Sequence, residues 1–242
     1  MYRLAKVGFS QSYTYFTWRT EKQEMTDYLQ ELSRPPVSDF FRPNFWPNTP
    51  DILHATLQQG GRATFVNRAV MASTMTASWG MYGPAFELGE STPREHGSEE
   101  YLDSEKYQQR TWDVQRADSL APLIRRLNRA RRDHPALQSN ERLWFHSIDN
   151  DQLIAYTKNT ADGADTVLVV ASFDATQRQA GTLLLPPATL DGLGLPADAT
   201  IEAHDLLDDS VYSWRGPRIP IELDPVERPA HVFHLRAGGG RP

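Results

Sequence analysis

The pattern of apolar residues changes at His134-Pro135, and this change constrains the fold more than any other feature. Before it, β-prone runs alternate with stretches of helical periodicity, as expected for parallel strands joined by crossover helices. After it, only β-prone runs remain. We therefore predict an α/β part over residues 1–136, an antiparallel β-sandwich over 137–236, and a disordered glycine-rich tail over 237–242.

The α/β part contains three strand–helix units. The predicted strands are Gly8–Trp18, Phe40–Trp46 and Trp79–Leu88. The predicted helices are Glu21–Leu32, ended by Pro35-Pro36, then Pro50–Gln59, the nearly all-apolar Ala63–Ser78, and Ser119–Arg132. Because a complete eight-stranded α/β barrel needs roughly 250 residues, three units cannot close one.

The second part has roughly seven or eight predicted strands and no helical period. They fall within Leu143–Lys158 (two strands about an Asp-Asn-Asp turn), Thr166–Ser172, Gly181–Leu185, Ile201–Trp214, Ile219–Leu223 and His231–Leu235.

Composition excludes several classes of function. The formal charge is −6, which disfavours a surface for nucleic acid or anionic lipid. There is no cysteine, so disulfides, thiolate metal sites and cysteine nucleophiles are excluded. No segment approaches 18 consecutive apolar residues. We expect a cytoplasmic protein that binds neither nucleic acid nor membrane.

The segment Asn44–Leu53 (NFWPNTPDIL) contains the main candidate for chemistry, Asp51. Thr49-Pro50-Asp51 is a good helix start, with Thr49 as N-cap and an acid in the first turn. Asp51 also follows a predicted parallel strand, where ligands and catalytic groups collect. Both interpretations stay open on spacing alone. Four neighbours would line the same rim: Asn44, Trp46, Asn48 and Thr49.

Three further features have simpler explanations available. The polar loop Glu87–Arg110 follows a strand and could contact a sugar or phosphoester, or it could be a solvated loop. The arginines of Arg125–Arg132 are better explained as a solvated helix face. His231 and His234 are three apart in a strand, point to opposite faces, and cannot share a metal ion.

Four stretches together resemble one family: LAKVGFSQSYTYFTWR, NFWPNTPDILHATLQQGG, WGMYGPAFELGE and GSEEYLDSEKYQQR. With the β-rich remainder, the chain is similar to the C-terminal part of the α-1,4-glucan:maltose-1-phosphate maltosyltransferases of the α-amylase superfamily. The resemblance implies α/β plus all-β architecture: strands six to eight of a (β/α)8 barrel, then an antiparallel β-sandwich domain.

The resemblance also implies roles for particular residues. Asp51 would stabilise the transition state, and Lys106 and Tyr107 would contact the maltosyl donor. The partners would be maltose 1-phosphate and an α-1,4-glucan acceptor, with no metal and no cofactor. The family forms homodimers through an N-terminal region, so the oligomeric state of this chain stays open.

Retaining glycosyl transfer needs two more carboxylates, a nucleophile and a general acid/base. In the family they lie on strands four and five, before the position that matches residue 1. We therefore expect this chain to be inactive alone. The alternatives are a non-catalytic α-glucan-binding module and an α-amylase-type hydrolase.

Overall fold

The computed structural model describes residues 1–104, 109–195 and 200–238. Its first part contains a sheet of three short parallel strands in the order β1–β2–β3: Ser12–Tyr13, Pro43–Phe45 and Ser78–Trp79. Ser12 pairs with Pro43, and Asn44 pairs with Ser78. The three strands alternate with helices along the chain, as the sequence predicts.

Seven helices accompany these strands in the described residues. They are α1 (Tyr2–Lys6), α2 (Lys22–Leu32), α3 (Val37–Phe40), α4 (Ala55–Gln59), α5 (Gly61–Met75), α6 (Gly83–Glu87) and α7 (Ala121–Asp133). α2 buries Met25, Leu29 and Leu32 on one side, which confirms the predicted amphipathic helix. α5 is buried around nearly its whole circumference, also as predicted.

The predicted strands of the first part are too long. Gly8–Trp18 forms only the two residues of β1, followed by a 3₁₀ turn over Tyr15–Trp18. This turn places Phe16 in the core, where its ring stacks on Phe45 at 4.6 Å. Burial of Phe16 therefore overrides the β-propensity of its neighbours.

Two further boundaries are wrong. The helix predicted from Pro50 begins only at Ala55, and its N-cap is His54, whose Nδ1 accepts a hydrogen bond from Thr56 N at 3.3 Å. Within the predicted strand Trp79–Leu88, α6 begins at Gly83, with Pro84 in its first turn. Proline fits there because the first turn of a helix needs no N–H donor.

The second part is an antiparallel β-domain, as predicted. Its strands are β4 (Leu143–His146), β5 (Leu153–Asn159), β6 (Thr166–Ser172), β7 (Gln179–Leu184), β8 (Ile201–Asp205), β9 (Val211–Trp214), β10 (Arg218–Leu223) and β11 (Ala230–Ala237). They form a six-stranded sheet, β4–β5–β6–β11–β8–β9, and a two-stranded sheet, β7–β10.

Two predictions for this part need correction. A short helix, α8 (Pro187–Gly192), interrupts a region for which no helix was predicted. β11 continues to Ala237, and Gly238 N donates a hydrogen bond to Thr200 O at 2.6 Å. The predicted disordered tail therefore does not begin at residue 237, while residues 239–242 lie outside the described ranges.

Strands β5 and β6 of the six-stranded sheet are buried on both faces. One face, with Leu168 and Val170 of β6, packs against the small sheet and α8. The other face, with Val167 and Val169, joins the core formed by the helices of the first part. Thr74 of α5 and Tyr156 of β5 share a buried hydrogen bond of 2.6 Å between their hydroxyls. The two parts of the chain are thus packed together through the large sheet.

Among the described residues, no helix has the length and apolar character needed to cross a bilayer.

Candidate active site

The segments that follow β1, β2 and β3 meet at the carboxyl ends of the parallel strands, where α/β sheets usually bind ligands. Hydrogen bonds join these segments. Thr14 Oγ1 donates to Asn44 O at 3.1 Å, and Thr17 Oγ1 donates to Trp46 O at 2.6 Å. Gly80 N donates to Phe45 O at 2.9 Å. We call this surface the rim.

Asp51 lies on the rim in a tight turn, and its side chain is exposed. Thr49 and Ile52 exchange two backbone hydrogen bonds of 3.1 Å across this turn. Asp51 N donates to Thr49 Oγ1 at 3.2 Å. Thr49 therefore stabilises a turn and not a helix start, so the capping interpretation of Asp51 is wrong. The turn presents the carboxylate outward from a fixed backbone.

Asn48 was expected to line the rim, but the structure buries it completely. Its Nδ2 donates to Tyr101 OH at 2.7 Å, and its Oδ1 accepts from Tyr82 N at 2.9 Å. The residue thus connects the segment after β2 to the segment after β3 and to the long polar loop. Its role in the structure is to position its neighbours.

Trp46 forms the aromatic part of the rim. Its ring centroid lies 5.4 Å from that of Tyr13. It also lies directly against Gly80, because a Cβ built at residue 80 would be 2.4 Å from Cζ2 of the indole. The indole N–H is buried and has no hydrogen-bond acceptor among the described residues. Glycine at residue 80 is therefore required for this placement of Trp46.

A second carboxylate at the rim, Glu99, was missed by the sequence analysis. Its Oε1 and Oε2 accept from Trp18 Nε1 at 3.1 and 3.2 Å. Its Oε1 lies 4.0 Å from Nε2 of His54. The pKa of His54 is lowered, mainly because the ring is partly buried. Glu99 lies 81 residues from Trp18, so no local pattern could have indicated this contact.

Arg68 of α5 binds the backbone of the segment that follows β1. Its guanidinium is buried, lies 3.9 Å from the centroid of the Phe16 ring, and donates to Arg19 O at 2.8 Å and to Phe16 O at 2.5 Å. Burial lowers the pKa of Arg68 to about 9, so it remains charged at neutral pH. It fixes the 3₁₀ turn that follows β1.

The other two predicted site residues, Lys106 and Tyr107, lie outside the described residues. The described part of their loop, to residue 104, is tied to the rim by Tyr101 and Glu99.

The described residues contain one group of three possible metal ligands, His134, Asp165 and His234, whose donor atoms lie within 4.8 Å of one another. Asp165 Oδ1 lies 2.8 Å from His134 Nδ1 and 3.5 Å from His234 Nε2. His231 instead contacts Asp205, at 2.6 Å. The two histidines of β11 thus have different partners, as their spacing predicts. No part of this group belongs to the rim.

Two solved α-amylases share the fold of this chain. The chain overlays an α-amylase from Geobacillus thermoleovorans with a TM-score of 0.65, covering 97% of this chain and 50% of that one at 14% identity. A maltogenic α-amylase from Thermotoga neapolitana gives a TM-score of 0.64, covering 96% and 52%, also at 14% identity. These overlays show the fold alone.

Sequence comparison identifies the family to which the chain belongs. A maltosyltransferase from Streptomyces coelicolor is 50% identical over 240 residues, covering 98% of this chain and 35% of that protein. One from Salinibacter ruber is 46% identical over 239 residues, covering 99% and 35%. Residues 145–235 match the family model "GLGE, C-terminal". The chain belongs with the α-1,4-glucan:maltose-1-phosphate maltosyltransferases, as its motifs indicate, and spans about 35% of their length, at the C-terminal end.

Proposed function

We propose that these 242 residues form the C-terminal part of an enzyme that transfers maltosyl units from maltose 1-phosphate to the non-reducing end of α-1,4-glucans. The observation that carries the proposal is 43–50% identity, over nearly the whole chain, with proteins named for this activity. In this proposal β1, β2 and β3 are strands six, seven and eight of a (β/α)8 barrel, within residues 1–136. Residues 137–236 are the β-domain that follows it.

Asp51 is the catalytic residue that this chain contributes. Its exposed carboxylate, on a turn closed by backbone hydrogen bonds, accepts hydrogen bonds from sugar hydroxyls. Its negative charge stabilises the positive charge that develops at the anomeric carbon in the transition state. The rigid turn keeps the carboxylate in place, so little reorganisation is needed during the reaction.

Lys106 and Tyr107 contact the bound donor in this proposal. The loop that carries them is tied to the rim at Tyr101, which bonds to Asn48, and at Glu99, which bonds to Trp18. These contacts hold Glu99 and Tyr101 beside the segment after β2, which carries Asp51. The positive charge of Lys106 would then favour the phosphate of the donor.

The reaction needs two more carboxylates, about 5–5.5 Å apart in retaining enzymes. We propose that the preceding part of a longer protein supplies them, and that these 242 residues alone are inactive. The surface around β1 supports this proposal, because it exposes apolar side chains that a preceding part of the barrel would cover. More than half exposed are Leu4, Val7, Phe9, Tyr13 and Tyr15. β1 also pairs only with β2 among the described strands.

A chimera tests the proposal. The preceding region of the Streptomyces coelicolor relative is joined to this chain, and both the chimera and the chain alone receive maltose 1-phosphate and an α-1,4-glucan. We expect the chimera to release phosphate and lengthen the glucan by two glucose units at a time. We expect no phosphate release from the chain alone.

Other outcomes would select the alternatives. Release of free maltose without glucan extension would identify a hydrolase. Glucan binding by the chain alone, with a folded chimera that releases no phosphate, would identify a non-catalytic binding module. Phosphate release by the chain alone would show that its own residues supply all the catalytic groups.

A further inference from the structure

A cavity of about 480 Å³ lies between α7 and the adjacent strands β8 and β11 of the large sheet. It is lined by four arginines: Arg125, Arg126 and Arg129 of α7, and Arg236 of β11. The sequence analysis explained the arginines of α7 as a solvated helix face. Arg125, Arg129 and Arg132 are exposed, as that explanation requires, and Arg125, Arg126 and Arg129 also line one cavity together with Arg236 of β11.

The charges around the cavity do not cancel. Arg126 pairs with Asp209 at 2.9 Å, and Arg129 pairs with Asp133 at 3.3 Å. Both carboxylates also line the cavity, so these pairs contribute little net charge. Arg125 and Arg236 form no ion pair within 4.0 Å among the described residues. The lining therefore keeps about two positive charges that its own carboxylates do not neutralise.

Other carboxylates lie near the cavity without lining it, among them Asp165, which contacts His134 and His234 at 2.8 and 3.5 Å. Glu202 is opposite Arg236 in the register of β8 and β11, but its side chain is exposed and does not line the cavity. It is therefore free to move into solvent when Arg236 binds another group.

Three histidines complete the lining: His134, His204 and His234. Burial of the ring is the main cause that lowers the pKa of His234 to about 4; the charge of Arg236 lowers it further, and the charge of Asp165 raises it. At neutral pH His234 is uncharged and can still donate one N–H.

We infer that this cavity is a binding site for a phosphoryl group, either of a small phosphorylated molecule or of phosphate itself. A phosphomonoester carries about −1.5 to −2 charges at pH 7, which matches the two unpaired guanidiniums. Guanidinium groups bind phosphate oxygens through paired N–H donors, and such charge-assisted bonds are among the strongest in proteins. The volume leaves room for a small organic group beside the phosphate.

Binding here would connect α7, which belongs to the first part of the chain, to β11 of the antiparallel domain. A ligand that binds only the folded chain stabilises it, so phosphate should raise the unfolding temperature. This inference does not depend on the proposed transfer reaction, because no residue of the rim lines the cavity.

The test uses inorganic phosphate and glycerol 3-phosphate as probes, with the 242-residue chain at constant ionic strength. Calorimetric titration and the unfolding temperature are measured for the unmodified chain, Arg125→Gln, Arg236→Gln and Arg132→Gln. The last variant is the matched control, since Arg132 lies on the same helix and carries the same charge but does not line the cavity. Sodium acetate and glycerol are the control ligands.

We expect saturable phosphate binding that weakens about tenfold in each cavity variant, the equivalent of about 1.4 kcal/mol, and does not change in Arg132→Gln. Tighter binding of glycerol 3-phosphate would support a phosphorylated small molecule, and equal binding would support phosphate itself. The inference is wrong if no saturable binding occurs, if Arg132→Gln weakens binding equally, or if acetate binds as tightly as phosphate.

Discussion

Asn48 provides a direct test of how the rim is held together. The side chain is fully buried and bonds to Tyr82 N and Tyr101 OH, at 2.9 and 2.7 Å. In Asn48→Leu the new side chain has a similar volume but cannot form the hydrogen bonds to Tyr82 N and Tyr101 OH. It would leave the buried Tyr101 hydroxyl without its Asn48 partner, at about 1–3 kcal/mol, and would remove the hydrogen bond to the part-buried Tyr82 N, at about 0.5–1.5 kcal/mol. We therefore expect the free energy of unfolding to fall by about 1.5–4.5 kcal/mol.

The assay is urea unfolding of the chain followed by tryptophan fluorescence and by circular dichroism. For a protein of this size, a loss of 3 kcal/mol corresponds to a decrease of roughly 6–12 °C in the melting temperature. The control is Asn128→Leu, because Asn128 is exposed and its side chain accepts one hydrogen bond from the described residues, from Trp79 Nε1 at 3.3 Å. A loss below 1 kcal/mol in Asn48→Leu would refute the proposed role of Asn48 as the buried connection of the rim.

Two further predictions concern packing and pH. Gly80→Ala should cost about 1–3 kcal/mol and shift the tryptophan emission, because the new Cβ would overlap Trp46, whereas Gly83→Ala has open space and should be nearly neutral. A loss below 0.5 kcal/mol in Gly80→Ala would contradict this packing. Burial lowers the pKa of Lys158 from 10.5 to about 7, so the unfolded chain binds more protons between these values. The free energy of unfolding should therefore rise with pH in that window. Between pH 7.5 and 9.5, urea unfolding should show a rise that is on the order of 2 kcal/mol larger in the unmodified chain than in Lys158→Met. Equal slopes for the two proteins would contradict the lowered pKa of the buried Lys158.

The antiparallel domain was the most predictable part of the fold. β6 is predicted to the residue, Thr166–Ser172, because a continuous apolar run bounded by turn residues matches a strand buried on both faces. The short helix α8 was not predicted, since six residues with two prolines before or within them carry little periodicity.

The rim was less predictable because its geometry depends on contacts between distant residues. Thr49-Pro50-Asp51 has the local signal of a helix start, yet the Thr49 hydroxyl bonds to Asp51 N in a turn. Histidine is an uncommon N-cap, so the true start at His54 gave no recognisable signal. The hydrogen-bond partners of Asn48 and Glu99 lie 34 to 81 residues away along the sequence, so local sequence patterns could not indicate these contacts.

The sequence analysis predicted where Asp51 lies in the fold but not the turn that contains it. The sequence analysis placed it after a parallel strand, on a rim shared with Trp46 and Thr49, and the structure has it there. The chemical role rests on family membership, since an exposed aspartate in a turn does not by itself indicate catalysis.

The most direct test of the account is the turnover of Asp51→Asn in the chimera. The turn should persist, because its hydrogen bonds come from the backbone and Thr49. Phosphate release from maltose 1-phosphate should fall by at least roughly 10²-fold, as expected when a charge that stabilises the transition state is removed. Asp191→Asn, an exposed position on α8, is the control and should keep full activity. A rate per folded molecule within about twofold of the unmodified chimera would contradict the catalytic assignment of Asp51.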